Sequence, residues 1–195
     1  MSDGILITLV NNVALLLAMG VLYDAFSFNR DTPSLFKKII TGGFIGLIGC
    51  AIMSMPLSLV SGVIIDARSI LLSATGLFFG LIPTVIAVAF TAVFRIIEGG
   101  QGVFAGVLII LSSAGIGLSY NYLRQQLQVK SNVRWYQLYL LGIAVHVVML
   151  TCLLVLPRSM ADPLLSEISL PVLIIFPVAT VLLGVLLTDQ IERRN

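Results

Sequence analysis

Two arginines mark the ends of a long apolar stretch, and each lies close to a carboxylate in the sequence. Asp66 precedes Arg68 by two residues, and Glu98 follows Arg95 by three. An arginine at the edge of a bilayer needs a partner, either a carboxylate of the protein or an anionic ligand. Two guanidinium groups facing each other would bind a small carboxylate bidentately, which lysines would do less well. The four charges are therefore a candidate anion site.

The same charges have a structural alternative. Asp66 could pair with Arg68 and Glu98 with Arg95, so that two interfacial ion pairs only hold helix ends in place. The sequence alone leaves both interpretations open. The predicted ligand-binding set consists of Arg68, Arg95, Asp66, Glu98, Gly99 and Gly100.

The segment between the two arginines decides whether they can meet. It contains 26 uncharged residues, with Gly76, Gly80 and Pro83 near its middle. One straight helix would carry the arginines to opposite membrane faces. Two shorter helices that meet at 80–83 would return to the same side and bring the arginines together.

Composition predicts an all-α polytopic membrane bundle. The chain of 195 residues is 58% hydrophobic and 10% charged, with a mean hydropathy of +1.10, whereas soluble domains are about 25% charged. The alternating ten-residue segments of a porin-like barrel are absent. A net charge of +2 with dispersed basic residues gives no support for nucleic-acid binding.

Apolar runs predict about six to seven membrane helices, with a short broken hairpin at 66–98 among them. Gly42, Gly43, Gly46 and Gly49 form a small-residue face that lets a neighbouring helix approach closely. Residues 157–169 are predicted to form a polar loop. The predicted helical segments are 4–23, 39–60, 69–79, 83–97, 103–120, 135–156 and 170–187.

Charge asymmetry favours the broken hairpin, because positive residues concentrate on the cytoplasmic side of a membrane protein. With the hairpin, one side holds eight of the eleven Lys and Arg; a single crossing would divide them six to five. This topology predicts a bacterial inner-membrane protein with a cytoplasmic C-terminus and with Arg68 and Arg95 at the outer face. The eight residues are Arg30, Lys37, Lys38, Arg124, Lys130, Arg134, Arg193 and Arg194.

The remaining polar residues are interpreted as contacts between helices more than as catalytic or ligand-binding groups. His146 lies in the middle of a span, where it could relay protons or bond to a neighbouring helix, and the second role is favoured. Asn11 and Asn12 are interpreted as interhelical contacts. Cys50 and Cys152 lie in apolar segments without metal-site or disulfide spacing. No Ser/His/Asp set, zinc motif or Walker loop occurs, so neither catalysis nor a cofactor is expected.

Three ordered blocks, IIDAR, TGLFFG and FRIIEGGQGVFAG, resemble the membrane sensor domain of LytS-type receptors, the five-transmembrane LytS/YhcK family. The resemblance covers roughly residues 21–188. Such domains precede histidine kinases or GGDEF diguanylate cyclases, and some are pyruvate receptors. The resemblance implies that Arg68 and Arg95 bind the anion. A Cys and a Ser of the pyruvate receptors fall on Gly106 and Ile109 here, so pyruvate itself is in doubt.

The resemblance also implies the organisation of the chain. Residues 1–188 would form the sensory domain, and 189–195 would begin a cytoplasmic linker to an output domain; a naturally short chain is the alternative. The expected partners are a small carboxylate, membrane lipid and a second copy of the chain, the last by analogy with kinases and cyclases. Two rival functions are a transporter's substrate-binding subunit, as in energy-coupling-factor systems, and a structural subunit whose arginines are anchors.

Overall fold

The computed structural model describes residues 35–54, 57–60, 63–128 and 133–192. The predicted first span, with Asn11 and Asn12, lies outside them. Within these ranges the chain forms six helices and one short β-hairpin. They are α1 (Leu35–Met53), β1 (Leu57–Val60), β2 (Val63–Ile65), α2 (Arg68–Phe79), α3 (Leu81–Glu98), α4 (Val103–Gln126), α5 (Trp135–Leu153) and α6 (Arg158–Glu192).

Five of the described helices, all except α2, are long and apolar enough to cross a membrane. The predicted polytopic helical bundle is thus confirmed. Helix α2 has 12 residues and rises about 18 Å, which is short of the roughly 30 Å hydrocarbon core. Its residues from Arg68 to Leu77 are all buried, so the other helices surround it.

The predicted break in the central stretch is confirmed. Helix α2 ends at Phe79 and α3 begins at Leu81. Between them Gly80 has a φ of 75°, a conformation that glycine adopts without steric cost. Pro83 lies in the first turn of α3, where its missing N–H disrupts no helical hydrogen bond. The two helices pack against each other, and the single straight helix is excluded.

The predicted small-residue face on α1 packs against α3. A Cβ atom on Gly42 would lie 2.8 Å from the carbonyl oxygen of Pro83, and one on Gly46 would lie 2.7 Å from the Cβ of Phe90. A real Cβ atom does not fit at such short distances, so α1 and α3 can approach this closely only because both residues are glycines. Gly43 is different, since its added Cβ would meet no heavy atom within 4 Å.

The predicted second span of 39–60 is wrong at its C-terminal end. Helix α1 stops at Met53, and β1 then pairs with β2 in an antiparallel hairpin, with Leu57 opposite Ile65. The proline at position 56 of the sequence disfavours a helix in the residues before it. A short apolar run such as LSLV does not show by hydropathy whether it is helix or strand.

The predicted polar loop at 157–169 is also wrong, because α6 begins at Arg158 and continues for 35 residues. Its charged residues, among them Asp162, do not interrupt the helix. Ala161, Leu164 and Ile168 are buried at spacings of three and four, which place them on one helical face. This apolar face packs the N-terminal part of α6 onto the bundle.

Candidate functional site

The helical hairpin brings the two arginines to nearly the same level of the bundle. From Gly80, the path back to Arg68 along α2 is about 18 Å and the path forward to Arg95 along α3 is about 22 Å. Both arginines are buried, with exposed fractions of 2% and 1%. The charges of Arg68, Asp66 and Glu98 all act on Arg95. The predicted charged residues therefore form one cluster.

Asp66 holds the N-terminus of α2. Its Oδ1 accepts a hydrogen bond of 2.9 Å from the backbone N–H of Arg68, which satisfies one of the free donors in the first helical turn. Its Oδ2 lies 3.3 Å from Nη1 of Arg68, and both side chains are almost fully buried. These two atoms make no hydrogen bond within the described residues, so the contact between them is mainly ionic.

Arg95 contacts the end of its own helix. Its Nη1 donates a hydrogen bond of 3.0 Å to the carbonyl oxygen of Gly99 and lies 3.7 Å from Oε2 of Glu98. Gly99 and Gly100 have φ values of 71° and 87°, which favour glycine at both positions. The predicted break between the segments 83–97 and 103–120 is confirmed, since α3 ends at Glu98 and α4 begins at Val103. Gly99 also contributes its carbonyl group to the cluster.

Gly106 provides the space in which Arg95 lies. A Cβ atom at this position of α4 would be 2.6 Å from Nε of Arg95 and 3.1 Å from its Cδ. The arginine side chain therefore crosses α4 directly over this glycine. The sequence does not indicate this contact, because the contact depends on how α3 and α4 pack.

His146 links α5 to the same end of α2. Its Nδ1 lies 2.6 Å from the carbonyl oxygen of Gly142, and its Nε2 lies 3.1 Å from Oγ of Ser69. Because a carbonyl oxygen only accepts, Nδ1 carries a proton, and in the neutral ring Nε2 accepts from the Ser69 hydroxyl. The predicted interhelical hydrogen bond of His146 is confirmed. Its partner, directly after Arg68 in the chain, could not be identified from sequence.

Replacing Ser69 with alanine is expected to lower the free energy of unfolding by about 0.6–1.7 kcal/mol, the range for interhelical hydrogen bonds in membranes. The control is Ser73→Ala on the same helix, where the hydroxyl bonds only to the backbone of Ile70 and a smaller change is expected. Thermal unfolding in detergent measures both variants. Equal losses would show that the His146 contact contributes nothing specific.

The described residues contain no group of three or more His, Cys, Asp or Glu placed to hold a metal ion. Cys50 and Cys152 are free thiols. The cluster contains two guanidinium groups, a type of group that can bind anions. Backbone carbonyl groups and carboxylates surround those guanidinium groups.

A bundle of apolar helices around a buried charge cluster defines a multi-pass membrane protein with a candidate anion site. Residues 20–190 match the family model described as 5TMR of 5TMR-LYT, the LytS-type five-transmembrane receptor domain. The chain belongs to this family of membrane sensor domains, as the resemblance predicted. No curated protein and no solved structure matches the chain.

Proposed function

We propose that this membrane sensor domain binds a small carboxylate at the outer face of the bacterial inner membrane through Arg68 and Arg95. The observation that supports the proposal is the burial of both arginines in one cluster, although they come from different helices. A buried charge is costly to keep, and intramembrane charges are functional-site candidates for that reason. Two guanidinium groups give the bidentate geometry that a carboxylate needs.

The ligand would compete with a carboxylate of the protein. The cluster contains two arginines and two acids, so its formal charge is zero without a ligand. Asp66 is fully enclosed, whereas the side chain of Glu98 is 20% exposed and lies 3.7 Å from Arg95. Glu98 is thus the group that an incoming carboxylate displaces, and Asp66 continues to orient Arg68.

Displacement of Glu98 would change the contact between α3 and α4. Arg95 lies directly over Gly106, so a movement of its side chain alters the packing of these two helices. The change would pass through the bundle to α6 and to a cytoplasmic linker at 189–195, which leads to a kinase or diguanylate cyclase in a homodimer. A ligand shifts such an equilibrium only by its different affinities for the two packings.

The test is ligand-induced thermal stabilisation of the purified protein with a panel of small mono- and dicarboxylates. An acid present at about 100 times its dissociation constant should add roughly 2.7 kcal/mol to the free energy of unfolding. Arg95→Ala should lose this stabilisation entirely. Arg95→Lys should lose most of it, because lysine keeps the positive charge but lacks the planar guanidinium group that binds a carboxylate through two hydrogen bonds.

The matched control is Arg158→Ala, which removes an exposed arginine at the start of α6 and should leave the stabilisation unchanged. Each variant is compared with its own melting temperature without ligand, so that a loss of stability is not mistaken for a loss of binding. If no acid stabilises the wild type, the two ion pairs only hold helix ends. Stabilisation that survives in Arg95→Ala would place the ligand elsewhere.

A further inference from the structure

Helix α6 has a proline in its interior that is buried against the bundle. Three prolines lie within this helix, and Pro177 is the buried one among them. Proline has no backbone N–H, so the carbonyl oxygen of Leu173 receives no hydrogen bond from that position, and helices bend where this bond is missing. We propose that α6 has a hinge at Pro177 and that His146 of α5 couples the angle of this hinge to α2, the helix that begins with Arg68.

The proline lies directly on the backbone of α5. A Cβ atom on Gly142 would lie 2.8 Å from Cα of Pro177 and 3.1 Å from Oγ1 of Thr180. Helices α5 and α6 therefore touch through main-chain atoms at this point, as small residues permit in membranes. The contact holds Pro177 in place against α5, so a bend at the proline tilts the residues of α6 that follow it.

His146 connects this point to α2. Its Nδ1 lies 2.6 Å from the carbonyl oxygen of Gly142, the residue that touches Pro177, and its Nε2 lies 3.1 Å from Oγ of Ser69. The ring centroids of His146 and Phe176 are 4.9 Å apart, with 66° between the ring planes, and Phe176 directly precedes the proline. One imidazole ring therefore contacts α2, its own helix α5 and the hinge of α6.

The burial of these groups makes their movements dependent on one another. Ser69, His146 and Phe176 have exposed fractions of 0%, and side chains in a close-packed interior have little room to move alone. Ser69 follows Arg68 in the chain, so a shift of the charge cluster along α2 would move the Ser69 hydroxyl and the ring bonded to it. Coupling of this kind needs an element with two arrangements, and a proline hinge provides one. The hinge belongs to the chain without a ligand, so it can be tested whether or not the cluster binds a carboxylate.

The experiment measures the bend of α6 by double electron–electron resonance between nitroxide labels on α4 and α6. The protein carries Cys50→Ala and Cys152→Ala and is held in lipid nanodiscs. One pair of labels reports on α6 after the hinge, and a second pair reports on α6 before it. All four labelled side chains are exposed, so the labels leave the packing intact. The labels replace Leu123 and Val185 in the first pair, and Leu111 and Leu170 in the second.

Ser69→Ala removes the hydrogen bond between α2 and His146 and should release the hinge. Val185 follows Pro177 by about 12 Å of helix, so a bend changed by about 20° would move its label by about 4 Å. The distance to the label at Leu123 should shift or broaden by that amount, while the pair before the hinge is unchanged. Equal distances in Ser69→Ala and the wild type would overturn the proposal.

Three further variants show whether the effect passes through the hinge. Pro177→Ala restores the helical N–H, so adding Ser69→Ala to it should no longer change the distance. Pro171→Ala is the matched control, a half-buried proline of the same helix, and Ser69→Ala should keep its effect there. Ser73→Ala, whose hydroxyl bonds to the backbone of Ile70, should change neither pair. An effect of Ser69→Ala that persists in Pro177→Ala, or that occurs equally in both label pairs, would refute the hinge.

Discussion

Replacing Gly117 with alanine is expected to lower the free energy of unfolding by about 1–3 kcal/mol, the usual cost of overpacking. An added Cβ would overlap the carbonyl oxygen of Ser73 and lie 2.8 Å from its carbonyl carbon. Both atoms belong to the backbone of α2, so no side-chain rotation relieves the clash. Helix α4 can accept the methyl group only by moving away from α2.

The opposite side of this contact has the same constraint. A Cβ atom on Gly76 would lie 2.6 Å from the backbone nitrogen of Leu118, so α2 and α4 touch through glycine on both sides. Small residues allow such close helix approach in membranes, where packing replaces the hydrophobic driving force. Because α2 also carries Arg68 and Ser69, separation of the helices should disturb the charge cluster and the His146 hydrogen bond.

The control for this prediction is Gly115→Ala, two residues away on the same helix. Its added Cβ meets no heavy atom within 4 Å, and alanine favours the helix by up to about 1 kcal/mol over glycine. We expect a melting temperature equal to or above that of the wild type. If both variants melt alike, α2 and α4 do not pack as closely as described.

The second large effect is expected for Asp66→Ala, which should lower the free energy of unfolding by about 3–5 kcal/mol. The substitution leaves Arg68 buried without the carboxylate that lies 3.3 Å away. It also removes the acceptor of the Arg68 N–H. Thermal or denaturant unfolding in detergent measures the loss.

A double variant separates the two effects of Asp66→Ala, which are the unpaired buried charge of Arg68 and the lost hydrogen bond at the N-terminus of α2. Asp66→Ala combined with Arg68→Leu removes both charges and should recover a large part of the lost stability, because an apolar side chain replaces an unpaired buried ion. Asp162→Ala is the control, since this acid is exposed on α6 and should change stability by about 0.5 kcal/mol or less. An Asp66→Ala protein that is as stable as this control would refute the buried ion pair.

Much of the architecture was predictable because membranes impose strong rules on sequence. Long apolar runs predicted the helices that could cross the bilayer. The distribution of Lys and Arg favoured a hairpin at Gly80 over a straight helix, and the structure has that break. The predicted break between the segments 83–97 and 103–120 also agrees with the structure, in which Gly99 and Gly100 have positive φ values that glycine permits.

Other features depend on partners that are distant in the chain. The prediction missed the β-hairpin at 57–65 and the helical start of α6, because apolar and mixed segments of these lengths fit more than one conformation. The hydrogen bond between Ser69 and His146 joins residues 77 positions apart. No spacing rule connects residues so far apart.

The sequence by itself determined the class of protein, the helical hairpin and the identity of the charged residues. Composition, helix length and charge placement can be read from the chain without knowing which helices pack together. The tertiary structure alone decided what those charges touch. It placed Arg95 over Gly106 and buried both arginines among other helices. The reason is physical: burial and distance are properties of packed helix pairs, and α2, α3 and α4 must be packed before two arginines can form one site.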